Sequence, residues 1–527
     1  MTESIDIFNI HKKIMDNYKH FVRSFVNIKN EKIKNFVESE INEGKFWPEP
    51  LIQFNPSFEP GESIQSLIGE NILHPELVSV FKGYDLFKHQ SEALVKGSEG
   101  SDFVVTSGTG SGKSLTFIGT IFNYLLNNKT SEGVKAVIVY PMNALINSQT
   151  EEFDRYKEIY EKETGKDFPF SYGQYTGQES EEKREKIKGQ MPDIILTNYM
   201  MMELILTRSK EHEIRKSIFK NLKYLVFDEL HTYRGRQGSD IAMLIRRIKA
   251  QAMNDVSCIG TSATMVSGGT INDQKLKVAE VASKLFGSKL SQDQIINEYL
   301  IRKFTFNGNI PNQEALSSSL NSQINPDDDD ENKMMSSPLG IWLENRIALD
   351  ESDGFLIRNK PLQFSQIVDK LSNDSGIDKD TCGKQMKVFL KWITNINKNL
   401  SNSRDTYLPY KIHQFISQTG TVYVSLNTND DDSVISLEPT NHKGSGDDKI
   451  PIFPIAFSRV SGHEFICVRK DNKNNLLKPR EFKEFIDEDE EDVTAGYIFT
   501  GIDIWNPETD LELLPDTWVR FDKRAGV

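Results

Sequence analysis

Between residues 84 and 265, short runs of apolar and β-branched residues alternate with longer helix-compatible stretches. The runs are DFVVT (102–106), AVIVY (136–140), DIILT (193–197), YLVFD (224–228) and CIGTSAT (258–264). Such alternation predicts a parallel sheet covered by helices. Upstream, Ile14, Tyr18, Phe21 and Phe25 recur at helical spacing, and FWPEPLIQFNPSFEPGES (46–63) breaks that spacing with prolines. It reads as an extended crossing segment. After residue 270 the pattern changes. Helical stretches such as KLKVAEVASKLFG, PLQFSQIVDKLS and GKQMKVFLKWITNI give way to the strand-like TVYVSL, IPIFPIAF and EFICVRK. The division expected is a helical region over 1–80, an α/β domain over 81–270, a mainly helical accessory region over 271–400, and a β-rich, incomplete one over 401–527.

Composition narrows the class. No apolar run reaches the roughly 18 residues of a membrane span, and the N-terminus MTESIDIFNIHKK lacks the layout of an export signal. Cys258, Cys382 and Cys467 are the only cysteines and lie far apart. They support neither a disulfide framework nor a four-thiolate zinc site, and a reducing cytoplasm fits. The net charge of −14 argues against wholesale coating of nucleic acid. The excess acid falls mostly after residue 270, in runs such as DDDDE (327–331) and DEDEED (487–492), which read as solvated loops. The first half is near balance and leaves room for a local basic groove.

The candidate chemistry starts at VVTSGTGSGKSLTF (104–117). A strand precedes this loop and a helix follows it, the context that a phosphate-binding loop needs. Gly108, Gly110 and Gly112 let backbone N–H groups turn inward, and the helix N-terminus adds partial positive charge. Thr109 and Ser111 complete the loop. Lys113 would reach the β- and γ-phosphates of ATP, and Ser114 would ligate Mg²⁺. Ser107 stands where the generic pattern has glycine. Upstream, Gln90 in YDLFKHQSEAL carries an amide that matches both edges of adenine, and Tyr84 or Phe87 could lie against the ring; the alternative for Gln90 is an ordinary helix-surface residue.

A second cluster is YLVFDELHTYRGRQGSD (224–240). It places Asp228 and Glu229 at the end of an apolar strand, where parallel sheets open onto their ligand crevice. Asp228 would hold Mg²⁺, and Glu229 would orient and deprotonate the attacking water. In GTSATM (260–265), Ser262 and Thr264 offer hydroxyls that could couple the acid pair to nucleic acid.

In order and spacing, FKHQ, TSGTGSGKS, YPMNALINSQ, ILTNYMMMELIL, DELH and SAT resemble the motifs of superfamily 2 DEAD/DEAH-box helicases over residues 84–265. YPMNALINSQ and DELHTYRGRQGSDIAMLIRRI are similar to the large helicases of bacterial anti-phage systems of Druantia and DISARM type. The resemblance implies a RecA-like fold, with Asn143, Gln149, Thr197 and Asn198 on the strand-binding face. Arg234, Arg236 and Arg246 would be phosphate contacts, the alternative for Arg246 being a side chain that simply faces solvent, with DNA favoured over RNA. It also implies a second RecA-like domain carrying an arginine finger, and other defence proteins as partners. Two departures stand out. Ser458 and Ser461 occupy places where these relatives carry cysteines, leaving His413, His463 and Cys467 too sparse for a zinc site. No QxxGRxGR-like stretch occurs. The chain therefore reads as the N-terminal part of an ATP-dependent helicase or translocase. The rivals are a nucleotide- and DNA-binding module without turnover, and a DNA translocase that does not unwind.

Overall fold

The computed structural model describes residues 7–24, 27–108, 110–128, 132–263, 270–304, 310–400, 406–416, 421–426, 433–444, 449–482 and 492–500. The chain forms two compact units. One comprises Gln53–Pro361 and Ile367–Tyr410, and the other Met1–Ile52, Leu362–Gln366 and Lys411–Val527.

The larger unit is built on seven strands. In chain order they are β1 (Phe103–Thr106), β2 (Ala136–Tyr140), β3 (Tyr172–Gln174), β4 (Ile194–Asn198), β5 (Tyr224–Phe227), β6 (Ser257–Ser262) and β7 (Ile295–Asn297). All pair in parallel, in the spatial order β3-β4-β2-β5-β6-β1-β7. Side chains alternate between the two faces of a strand, so each run feeds two cores. Ala136, Ile138 and Tyr140 enter one hydrophobic cluster, while Val137 and Val139 enter the other. Helices Lys88–Ser98, Lys113–Asn127 and Asn143–Thr164 pack into the first cluster; Tyr199–Thr207, Gly235–Gln251 and Ile271–Phe286 pack into the second. The sheet is parallel and flanked by helices, as the alternation predicts, and the fold is RecA-like α/β, as the resemblance implies.

Close packing requires glycine at two positions around the phosphate loop and its flanking helices, among others. A Cβ on Gly97 would lie 2.2 Å from Thr120 Oγ1, so the helix before β1 and the helix after it approach through that gap. Gly112 has φ +71° and ends the phosphate loop, where a Cβ would come 2.5 Å from Gln90 Nε2. The crossing segment supplies the strand Ser57–Phe58, paired antiparallel with Leu300–Ile301. Further on, Leu349–Ser352 and Phe355–Arg358 form a hairpin through an Asp353–Gly354 turn with both φ positive.

In the other unit, helices Ile7–Ser24 and Glu31–Asn42 share one hydrophobic cluster with the strands Val422–Ser425, Ile450–Phe457 and Glu464–Asp471. Met15, Ile33, Val37, Ile41 and Trp47 meet Val424, Phe453, Ile455, Ile466 and Val468 there. Those strands belong to a seven-stranded sheet whose pairings are antiparallel. Among the described residues no helix is long and apolar enough to cross a membrane. No group of three His, Cys, Asp or Glu side chains among them is placed to hold a metal ion.

Candidate nucleotide site and strand-binding face

Every motif of the larger unit sits at the carboxyl edge of the parallel sheet. The phosphate loop leaves β1 and enters the helix Lys113–Asn127, a strand–loop–helix order whose helix N-terminus suits an anion. Gly110 and Gly112 both have positive φ and are exposed, leaving the loop open to solvent. Ser107 and Ser111 are buried beneath it, their hydroxyls 2.6 Å apart, and Ser107 N–H donates to Ser262 O at 3.1 Å. The hydroxyl contact with Ser111 is the one a glycine at position 107 could not make. Thr109 lies outside the described residues.

Sheet register assembles the acid pair. Phe227 is paired with Gly260, so Asp228 emerges beside Thr261. The Thr261 hydroxyl donates to Asp228 Oδ1 and accepts from Glu229 N–H at 3.2 Å. Glu229 takes a left-handed backbone, φ +52° and ψ +54°, which turns its carboxylate back toward the phosphate loop. Its Oε1 lies 3.5 Å from Lys113 Nζ, and Oε2 lies 3.2 Å from His231 Nδ1. His231 Nδ1 is also 3.2 Å from Ser262 Oγ. Burial raises the Asp228 carboxyl above the ordinary range, opposed by the Thr261 hydrogen bond and by Lys113. Tyr140 and Tyr233 are also pushed up, by burial first and then by the charge of Asp228.

The structure thus brings Lys113, Asp228, Glu229 and Ser262 into one edge of the sheet. Thr261 and His231, absent from the sequence-derived set, join them. An alternating strand hides which of two adjacent hydroxyls faces the acid, and only pairing to β5 identifies Thr261. Thr264 lies outside the described residues.

Gln90 is buried, at the start of the helix Lys88–Ser98. Its Oε1 accepts Phe87 N–H at 2.9 Å, and its Nε2 donates to Gly112 O at 2.9 Å and to Ser111 O at 3.3 Å. His89 Nε2 lies 3.0 Å from Ser111 O. In this arrangement the FKHQ segment braces the phosphate loop. The Gln90 amide is engaged by backbone, so it is not an ordinary surface residue.

Of the strand-binding candidates, Asn143 and Asn198 meet, with Asn198 Nδ2 donating to Asn143 Oδ1 at 2.8 Å. Both are partly exposed, and Met142 and Met200 beside them project into solvent. Gln149 Nε2 donates to Glu152 Oε2 at 3.2 Å. Thr197 is fully buried and its hydroxyl donates to Tyr175 O at 2.7 Å, beneath the face rather than on it. Arg234 and Arg236 are exposed at the start of the helix Gly235–Gln251. Arg246 is spent on the carbonyls of Ala242 and Lys284, at 2.8 and 2.9 Å.

A phosphate loop, a strand-end acid pair and Ser262 at the end of the neighbouring strand, on one RecA-like sheet, are the parts of a helicase motor domain. Residues 87–269 match the DEAD/DEAH box helicase family. This part of the chain is a superfamily 2 helicase domain. Among individual relatives, an uncharacterized ATP-dependent helicase of Methanocaldococcus jannaschii is 34% identical over 35% of this chain and 26% of its own length. The uncharacterized ATP-dependent helicase YprA of Bacillus subtilis is 31% identical over 46% of this chain and 29% of its own. The Druantia protein DruE of Escherichia coli is 24% identical over 52% and 21%. The chain spans about a quarter of the length of these curated relatives.

Proposed function

We propose that this chain carries the nucleotide-binding half of an ATP-dependent helicase or translocase that acts on nucleic acid, with DNA favoured. The observation that carries the reading is the approach of Lys113 to Glu229 across the phosphate loop, 3.5 Å between Nζ and Oε1. Phosphoryl transfer asks a protein mainly for positioning and charge neutralisation. Lys113 supplies a cation to the β- and γ-phosphates, the loop N–H groups cradle them, and Glu229 accepts a proton from the attacking water. His231 Nδ1 lies 3.2 Å from both Glu229 Oε2 and Ser262 Oγ, beside the carboxylate.

Asp228 and Ser114 are hard oxygen donors of the kind Mg²⁺ takes, and the desolvated carboxylate of Asp228 is the sort of group a cation relieves. Bound there, Mg²⁺ would neutralise phosphate charge. Asn143 and Asn198, with Arg234 and Arg236, would contact phosphate and sugar without reading sequence.

An arginine finger from a second RecA-like domain is worth roughly 10³–10⁵ in rate. Among the described residues the other large sheet is antiparallel, which is not the RecA arrangement. The expected behaviour of residues 1–527 alone is therefore ATP–Mg²⁺ binding with near-background turnover and no strand separation. Titration with ATP, followed by ATPase assays with and without single-stranded DNA, tests this. Absence of nucleotide binding would refute the reading. Robust DNA-stimulated turnover would place the finger within residues 271–527, for which Arg459 and Arg520 are candidates. The likeness to DruE supports a finer proposal, a role in anti-phage defence alongside other proteins of such a system. It predicts loss of phage protection when the gene is disrupted in its host.

A further inference from the structure

The outer end of the phosphate loop carries an unexpected charge. Gly108 N–H donates to Glu298 Oε2 at 2.8 Å, so a carboxylate sits on the loop that is to receive a polyanion. Glu298 follows β7, the neighbour of β1, and its own N–H donates to Thr106 O at 3.1 Å. It grips the loop where the strand ends.

Arg358, the last residue of the hairpin, covers this carboxylate. Its Nη2 lies 3.2 Å from Glu298 Oε2 and its Nε 3.4 Å from Oε1. Nη1 donates to Asn55 Oδ1 at 2.7 Å, and the guanidinium carbon lies 5.7 Å from the centroid of the Phe58 ring. The side chains are 11% and 18% exposed, so water screens the pair little. A Cβ on Gly108 would lie 3.1 Å from Cζ, Nε and Nη2 of Arg358. The guanidinium therefore packs against the loop backbone itself.

We propose that Arg358 is a positioning residue for nucleotide binding: it neutralises Glu298, which holds the first turn of the phosphate loop and would otherwise repel the phosphates. The inference rests on the nucleotide reading above. Its physical basis is that Glu298 shapes the loop through one hydrogen bond but opposes its ligand through charge. An unpaired carboxylate in a poorly screened site acts over several ångströms. Arg358 removes the opposition and leaves the hydrogen bond intact. It also ties the crossing segment, through Asn55 and Phe58, and the accessory hairpin to the loop.

The test is titration of the full chain with a non-hydrolysable ATP analogue and Mg²⁺, for wild type, Arg358→Ala, Glu298→Gln and the double variant, with thermal melting as the control for folding. Arg358→Ala should weaken binding on the order of tenfold, and more so at low salt. The double variant should recover affinity to within about twofold, because the amide still accepts from Gly108 and carries no charge. A purely structural arginine gives no such rescue. Wild type that binds while Arg358→Ala binds equally well overturns the inference alone, as does a double variant no better than Arg358→Ala. Wild type that fails to bind overturns the nucleotide reading and this inference with it. If Arg358→Ala does not melt cooperatively, Glu298→Gln decides: tighter binding, from an Arg358 charge no longer masked, supports the proposal, and equal or weaker binding overturns it.

Discussion

The ammonium of Lys113 lies 3.5 Å from Oε1 of Glu229, with both side chains largely buried. In the reading proposed above, this pairs the cation for the phosphates with the general base. Phosphate oxygens would then compete for the lysine and release the glutamate toward water.

Lys113→Ala removes the cation placed for the β- and γ-phosphates. Loss of a charge-assisted contact of this kind should weaken ATP binding by roughly 10²-fold. Calorimetric or fluorescence titration checks it, with melting to verify the fold.

Glu229→Gln keeps the shape of the side chain and leaves Lys113 in place, so ATP should still bind. Hydrolysis by the protein supplied with the second RecA-like domain proposed above should fall by about 10²–10⁴. Single-turnover kinetics at saturating ATP separates this from a binding defect.

Asp228 offers a stability prediction with a definite sign. Burial raises its carboxyl pKa in the folded state, so the fold favours the protonated form. That contribution is present at low pH and is lost as pH rises through the folded value. At neutral pH the charge is a cost, and Asp228→Asn should raise the Tm of the nucleotide-free protein by roughly 1–3 °C. The asparagine oxygen can still accept from Thr261. The advantage should shrink as pH falls toward the carboxylate range, which melting curves across pH will reveal.

Glu344 is buried in the accessory region, and its two oxygens accept Lys303 N–H at 2.8 Å and Phe304 N–H at 3.0 Å. Glu344→Ala orphans both donors and should cost about 3 kcal/mol, whereas Glu344→Gln, which keeps one acceptor, should cost about 1 kcal/mol. Urea unfolding of the two variants gives the comparison.

Nucleic-acid binding by this chain should be weak, indifferent to sequence and reduced by salt, because it rests on phosphate contacts. Replacing Arg234 and Arg236 together by alanine should lower the salt slope by about 1.4 on single-stranded DNA. An unchanged slope would remove both arginines from the interface.

The sequence by itself determined the parallel sheet and the contents of its edge. Continuous apolar strands have few other ways to be buried, and the phosphate loop, acid pair and Ser-Ala-Thr are legible through their order and spacing, the last two meaning little alone. Tertiary structure alone decided the partners of those groups. Thr261 rather than Ser262 meets Asp228 because β5 and β6 pair in one register, and alternation along a strand cannot reveal register. Gln90 and His89 brace the loop because the crossing segment and two helices converge there. Glu298 and Arg358 reach Gly108 from about 190 and 250 residues downstream, through sheet order and a hairpin with no motif of their own. The N-terminal helices share a core with strands some 400 residues later for the same reason. An apolar stripe states that it must be covered, and the element that covers it is selected by the packing of the whole chain.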